Sequence, residues 1–215
     1  MTAIFVSVKP EETRMGLVFD SKLRDFAVER RGEGNLVGNI YRGRVSNVVP
    51  GIQAAFIDLN VGKNGFLTLH KQDHLTEGQM LLVQVIKDCR GTKGPGVTRN
   101  VTLPGRYIVL EPFGSRISLS RKITCKSLRT RLRALVQKSL PEGMGVVIRT
   151  AAAKAADEEI ENDLRQLLAS WQILLRRSKV GRGPQLLYRE LDLSIRMIRD
   201  YVTTVSYTHL RAHET

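Results

Sequence analysis

"YRGRVSNVVPGIQAAFIDLNVGKNGFLTL", residues 41–69, alternates apolar and polar side chains on either side of two turns, "NVVPG" and "NVGKN". A period of two places alternate side chains on one face of a strand, and turns this short join strands that pair side by side. Working outward, strands are expected at 39–45, 53–59 and 65–69, and at 80–87 after the polar "HKQDHLTEGQ". No helix intervenes between the first three, so the expected product is a small closed antiparallel barrel. Two details stand apart from that pattern. Phe56 and Phe66 lie ten residues apart beside small residues, and Arg42 and Arg44 sit at one end. On residue type alone each phenylalanine reads first as barrel core.

On the N-terminal side, "AIFVSV", "MGLVF" and "LRDFAVER" read as three short strands broken by "KPEET" and "DSK". They have no local helix to cover them and need a partner layer from elsewhere in the chain. On the C-terminal side the texture changes near residue 99, where a domain boundary is expected. "GRYIVLEPFGSRISLSRKI" supplies two strands, and Leu128, Leu132, Leu135 and Val136 share one helix face. "MGVVIRT" is a further strand. Ile160, Leu164, Leu167, Leu168, Trp171, Leu174 and Leu175 form a long apolar stripe. A third helix is expected from Pro184, at an N1-type position, to about Val202. The fold class is therefore α+β. "VSYTHLRAHET", residues 205–215, carries neither stripe nor partner strand and reads as a foreign tail.

The 215 residues carry 34 Lys+Arg against 21 Asp+Glu, a formal net charge of +13, and 42% of them are apolar. Such a chain buries a core, and the excess charge points to a polyanionic partner. No run of 18 apolar residues occurs, and the N-terminus lacks the basic and apolar regions of a leader, so a cytoplasmic protein without a membrane segment is expected. Cys89 and Cys125 show no C-x-x-C spacing and are read as free thiols. The pairs His70/His74 and His209/His213 lack the glutamate of H-E-x-x-H, and "GEGNLVG" at 32–38 fails the dinucleotide spacing. No P-loop, nucleophile elbow or paired-carboxylate motif occurs.

Between Arg106 and Arg133 there are eight Lys/Arg residues and a single acid, Glu111. The run passes through strands as well as a helix, which favours a phosphate-facing surface over a solvated helix face. "KDCRGTKGPGVTRN", residues 87–100, mixes Lys87, Arg90, Lys93 and Arg99 with three glycines, a composition suited to close backbone approach to phosphate.

"GNIYRGRV", "PGIQAAFIDLNVGKNGFL", "EETRMGLV", "RGTKGPGVT", "LPGRYIVL", "SRKI", "LPEGMGVVIRTAA" and "RDY" together resemble the bacterial ribonuclease E/G family, in the family's order. The turn after Leu69 and the lead-in "RRGEGNLVGNIYRGRV" are nearer to its ribonuclease G branch. What the resemblance implies is an S1-type OB barrel at 37–98, inserted after ribonuclease H-like strands at 1–36. A mixed α/β 5′-sensor domain would follow at 99–187, then at 188–204 the start of the return to the ribonuclease H-like part. It further implies a magnesium-dependent endoribonuclease that processes or degrades single-stranded RNA (rRNA maturation, mRNA decay) with a preference for 5′-monophosphate ends. In the family, the catalytic carboxylates that hold Mg2+ and the C-x-x-C site whose Zn2+ links protomers of a homo-oligomer follow the part matched here. This chain by itself is accordingly expected to bind RNA without cleaving it, with no catalytic residue of its own. The alternatives are a non-catalytic S1-type or ribosome-associated RNA-binding protein and, on net charge alone, a binder of anionic membranes.

Carried over motif by motif, Phe56 and Phe66 match the family's RNA-facing aromatics and Lys93 its basic partner, with Arg42 and Arg44 expected to steer the backbone. Gly105 and Val109 of "LPGRYIVL" and Arg149 and Thr150 of "VVIRTAA" match the 5′-monophosphate pocket, and Arg121 of "SRKI" is expected to supply a second phosphate contact. A guanidinium forks onto phosphate oxygens, a hydroxyl adds a hydrogen bond, and a glycine leaves room. Where the family often has glycine after R-T-A, this chain has Ala152, a change in the loop that removes no donor.

Overall fold

The computed structural model describes residues 2–30, 36–70, 73–89 and 91–201, so the 205–215 tail, Arg90 and the second histidine pair lie outside the described residues. The chain divides into two compact units, one made of residues up to 33 together with those from 191 onward, the other of residues 34–190.

In the first unit, β1 (Thr2–Val8), β2 (Glu12–Phe19) and β3 (Lys22–Arg30) form an antiparallel meander in that order. Asp20 and Ser21 both take positive φ, the geometry of a two-residue hairpin that follows the strand twist. The missing partner layer is α3 (Leu193–Tyr201), which lays Leu193 and Met197, one turn apart, on Met15 and Leu17 of β2. Its first turn is tied to β3, where Glu29 accepts the Leu193 N–H at 2.6 Å. The other face of the sheet leaves Phe5, Leu23 and Phe26 exposed.

In the second unit, β4 (Ile40–Val49), β5 (Ala54–Asp58), β6 (Gly65–Thr68), β7 (Met80–Lys87) and β8 (Gly96–Thr98) pair in the order β4-β5-β6-β8-β7, and β7 returns to β4 to close a five-stranded OB-like barrel. Tyr41, Val45, Ala55, Ile57, Leu67, Val83, Val85 and Val97 fill it. The four strands read from the sequence are all present; burial alternates along β5 and β6, whereas β4 opens with four buried residues in a row and β7 has three. Two features differ from expectation. The β6–β8 pair is parallel, so the barrel is not wholly antiparallel, and β8 emerges from the glycine-rich 87–100 segment that composition alone marked as a phosphate-approaching loop.

The mixed part is a four-stranded sheet of β9 (Leu103–Pro104), β10 (Ile108–Glu111), β11 (Ile117–Leu119) and β12 (Gly145–Ile148), ordered β11-β12-β10-β9. β11 and β12 are parallel, which requires a crossover, and α1 (Lys126–Gln137) supplies it. Together with α2 (Asp157–Lys179) it encloses a core of Leu103, Ile108, Leu110, Leu132, Val146, Ile148, Ile160, Leu164 and Trp171 among others. The helix expected from Pro184 onward is corrected: residues after Pro184 form β13 (Gln185–Tyr188), which pairs with β4, and helix begins only at Leu193. Available hydrogen-bonding groups beside β4 outweigh the N1 preference of proline.

The barrel and the mixed sheet share β4. Tyr41 points into the barrel core, whereas its neighbour Ile40 belongs to the core of the mixed part. β13 repeats the arrangement, with Leu186 against the barrel core and Leu187 in the other.

Candidate nucleic-acid interface

On β5 the inward residues are Ala55 and Ile57, so Phe56 between them faces outward. Its cross-strand partner on β6 is Phe66, and the rings meet edge to face with centroids 6.0 Å apart at 76°. Phe66 is 39% exposed, a large apolar surface that the barrel core does not use. On its other side Phe66 pairs with Gly96 of β8, which carries no side chain to cover the ring. Lys93 is exposed in the turn leading into β8. That turn is held close to β6: a Cβ on Gly94 would come within 1.9 Å of the Asn64 carbonyl oxygen, so only glycine fits. The Pro95 carbonyl accepts the Phe66 N–H at 2.7 Å, and Lys63 Nζ donates to the Gly91 carbonyl at 2.6 Å.

Arg44 stands on the outward face of β4, half-exposed, with Nη2 3.2 Å from Asp58 Oδ2. An exposed pair of this kind contributes about 0.2–1 kcal/mol. A phosphate can therefore compete for the guanidinium. Arg42 does not share this setting, and its expected role in steering the RNA backbone is corrected. Only 6% exposed, it is enclosed by the C-terminal end of α2, whose last carbonyls lack helical partners. Nε donates to Gly183 O at 2.9 Å, Nη1 to Ser178 O at 3.1 Å and to Val180 O, and Nη2 to Gln185 Oε1 at 3.4 Å.

The second group of residues lies at one end of the mixed sheet. Arg149, with extended φ −80 and ψ 162, follows β12 directly. Its Nη1 donates to the Gly105 carbonyl at 2.6 Å, and its N–H donates to Tyr107 O at 2.7 Å. Val109 is half-buried on β10 opposite Val147, on the sheet face away from Ile108 and Leu110. The exposed Thr150 opens a short 3-10 turn and shares a 2.9 Å hydrogen bond with Ser120, the residue before the exposed Arg121. Ala152 sits fully buried in that turn with ordinary backbone angles, so the turn does not require glycine there. Gly105, Val109, Arg149, Thr150 and Arg121 thus converge on the ends of β10, β12 and β11.

Asp163 on α2, which residue type did not single out, organises this end of the sheet. Its carboxylate accepts the N–H groups of Arg106, Tyr107 and Ile108 at 3.2, 2.8 and 3.0 Å. Gly105 packs over it so closely that a Cβ would lie 2.6 Å from both carboxylate oxygens. The available signal was an acid inside the apolar stripe, between Ile160 and Leu164. Arg106 lies 5.3 Å from the Tyr107 ring centroid. Partial burial pushes the Tyr107 hydroxyl above the ordinary phenol range, Arg106 opposes this, and a 3.1 Å hydrogen bond to Glu159 adds to it. Nearby, the Ser127 hydroxyl at 3.2 Å, followed by the Leu128 N–H, holds the exposed Cys125 thiol below its usual range.

Among the described residues no group of three or more His, Cys, Asp or Glu side chains is placed to hold a metal ion. Among them too, no helix is long and apolar enough to cross a membrane.

An outward aromatic pair on a closed OB-like barrel, joined through a shared strand to an arginine-bearing sheet end, defines an α+β protein of OB-barrel type. The family model described as "Ribonuclease E/G family" matches residues 102–210. Ribonuclease G of Salmonella typhimurium (strain SL1344) is 36% identical over 225 residues, covering 94% of this chain and 46% of that protein. Ribonuclease G of Escherichia coli (strain K12) is 37% identical over 223 residues with the same coverage, and ribonuclease E of Nostoc sp. (strain PCC 7120) is 42% identical over 180 residues, 76% of this chain and 26% of that protein. The chain belongs to the ribonuclease E/G family. It spans about half, 46%, of the ribonuclease G relatives it matches.

Proposed function

We propose that this chain is the RNA-binding portion of an endoribonuclease that acts on single-stranded RNA with a preference for 5′-monophosphate ends, in rRNA maturation and mRNA decay. The observation that carries the reading is the outward Phe56–Phe66 pair, with Phe66 exposed, on a barrel whose core is already filled and whose turn into β8 carries the exposed Lys93. Bases stack on such rings irrespective of sequence, for about 1–3 kcal/mol each. Arg44 and Lys93 add a salt-dependent attraction to the backbone. At the end of the mixed sheet, Arg149, Thr150 and Arg121 offer donors to a terminal phosphate, Gly105 permits the tight loop that Asp163 holds beside them, and Val109 lines the approach.

Cleavage, with the magnesium it uses in the family, and zinc-linked oligomerisation are assigned to parts of the protein outside this chain, and the setting is the cytoplasm. The test compares 5′-monophosphate and 5′-hydroxyl oligonucleotides bound to the chain and to its Phe66→Ala and Arg149→Ala variants. Phe66→Ala is expected to weaken both ligands equally, and Arg149→Ala to remove the preference for the phosphate. Equal affinities for the two ends throughout would leave a non-catalytic S1-type binder. Magnesium-dependent cleavage by the purified chain would overturn the division of labour.

A further inference from the structure

The two helices of the 34–190 unit treat charge in opposite ways. α2 opens with Asp157, Glu158 and Glu159 and closes with Arg176, Arg177 and Lys179, the distribution that suits the helix dipole. α1 has no acid in its first turn and no base in its last, and Lys126 stands at its positive end. From residue 112 to 141 there are eight Lys/Arg residues and no Asp or Glu. Those cations repel one another, and Lys126 at the N-terminus of α1 lies against the helix field, so helix stability does not account for the run.

Two of them are engaged within the fold. Arg129 Nη1 donates to Ile123 O at 2.9 Å and Ser120 O at 3.3 Å, and Arg131 lies 3.7 Å from Asp157. Lys126, Thr130, Arg133 and Gln137 are exposed and spaced to form one stripe, opposite the buried Leu132, Leu135 and Val136. The stripe starts where the phosphate-binding end of the sheet stops. The Lys122 N–H donates to Ser120 Oγ at 3.3 Å, the same hydroxyl that bonds Thr150, and Arg121 lies between them. Lys126 and Arg133 are about 10 Å apart along the helix axis.

We propose that the Lys126–Arg133 face of α1 is a track for RNA phosphates, continuing the path of a strand whose 5′ end sits at Arg149. The inference rests on the functional reading above for its starting point and extends the contact by a helix that neither aromatic stacking nor end recognition requires. Polynucleotide fits the face better than an anionic membrane does, because Thr130 and Gln137 offer no apolar surface to insert between lipids.

The test uses the full chain, 5′-hydroxyl and 5′-monophosphate oligouridylates long enough to run from the pocket along α1, a salt series, and phosphatidylserine vesicles as a second ligand. The Lys126→Gln/Arg133→Gln variant is compared with Arg176→Gln/Lys179→Gln, which removes the same charge from exposed positions at the end of α2. Loss of two phosphate contacts should make the slope of log K against log salt shallower by about 1.4 in the first variant, with the slope of the second close to that of the parent. The thermal midpoint of the Lys126→Gln/Arg133→Gln variant should not fall, since a cation leaves the positive end of α1. If folding nevertheless suffers, Arg133→Gln alone, seven residues from Lys126, should lower the slope by about 0.7. Equal slopes in the two double variants would overturn the track. So would lost binding to phosphatidylserine vesicles with RNA binding intact. No 5′-phosphate preference in any protein, with the slope still reduced in the α1 variant, would remove the end pocket and leave the track standing.

Discussion

Phe66 and Gly105 show how much depends on where a single side chain or its absence falls. Because Phe66 is outward and 39% exposed, Phe66→Ala should cost about 1–3 kcal/mol of single-stranded RNA affinity by titration, with little change in the thermal midpoint. Gly105→Ala works the other way. Its Cβ, 2.6 Å from the Asp163 oxygens, must displace the carboxylate that holds three consecutive amides, so about 1–3 kcal/mol of stability should be lost in denaturant titration together with discrimination between 5′ ends. The Cys125 thiol, lowered by Ser127 and the adjacent amides, should react with iodoacetamide at a lower pH than an unperturbed thiol. Ser127→Ala should move the midpoint of that pH–rate profile upward; an unmoved midpoint would exclude the hydroxyl as the cause.

Arg42 and Arg44, two residues apart on one strand, are indistinguishable by type and spacing, yet the elements around them assign different work. Arg44 faces solvent, whereas Arg42 gathers carbonyls from the end of α2 and its following turn. Arg42→Met should therefore destabilise the 34–190 unit by about 1.5–3 kcal/mol in chemical denaturation. It should leave the salt slope of RNA binding unchanged; a slope shallower by about 0.7 would return Arg42 to the phosphate contacts. The same level explains which elements were legible. β5 and β6 follow a period of two and α1 and α2 a period of 3.6, patterns imposed by one-sided burial, whereas β4 is buried on both faces at its start. β8 is three residues within a run of glycines, and β13 is four residues after a proline, too short for either period to register. Both exist because a neighbouring strand supplies their hydrogen bonds.

Across the 34–190 unit, adjacent residues of β4 feed two cores, so the barrel and the mixed sheet should unfold together. Fluorescence of Trp171, buried in the mixed core, and amide exchange of barrel residues Val83 and Val85 should report one transition, which Arg42→Met shifts as a whole. Separate transitions would mean that the shared strand does not couple them. The sequence by itself determined the α+β class, four of the five barrel strands, the two long helices, the positive charge and the family, because alternation, turns, helical stripes, composition and ordered motifs are local properties of a chain. Only the tertiary structure decided that Arg42 is an internal clasp, that Asp163 shapes the loop at Gly105, and that β13 joins the barrel. Each of those depends on hydrogen-bonding groups brought together from distant positions, and no local pattern records which groups will meet.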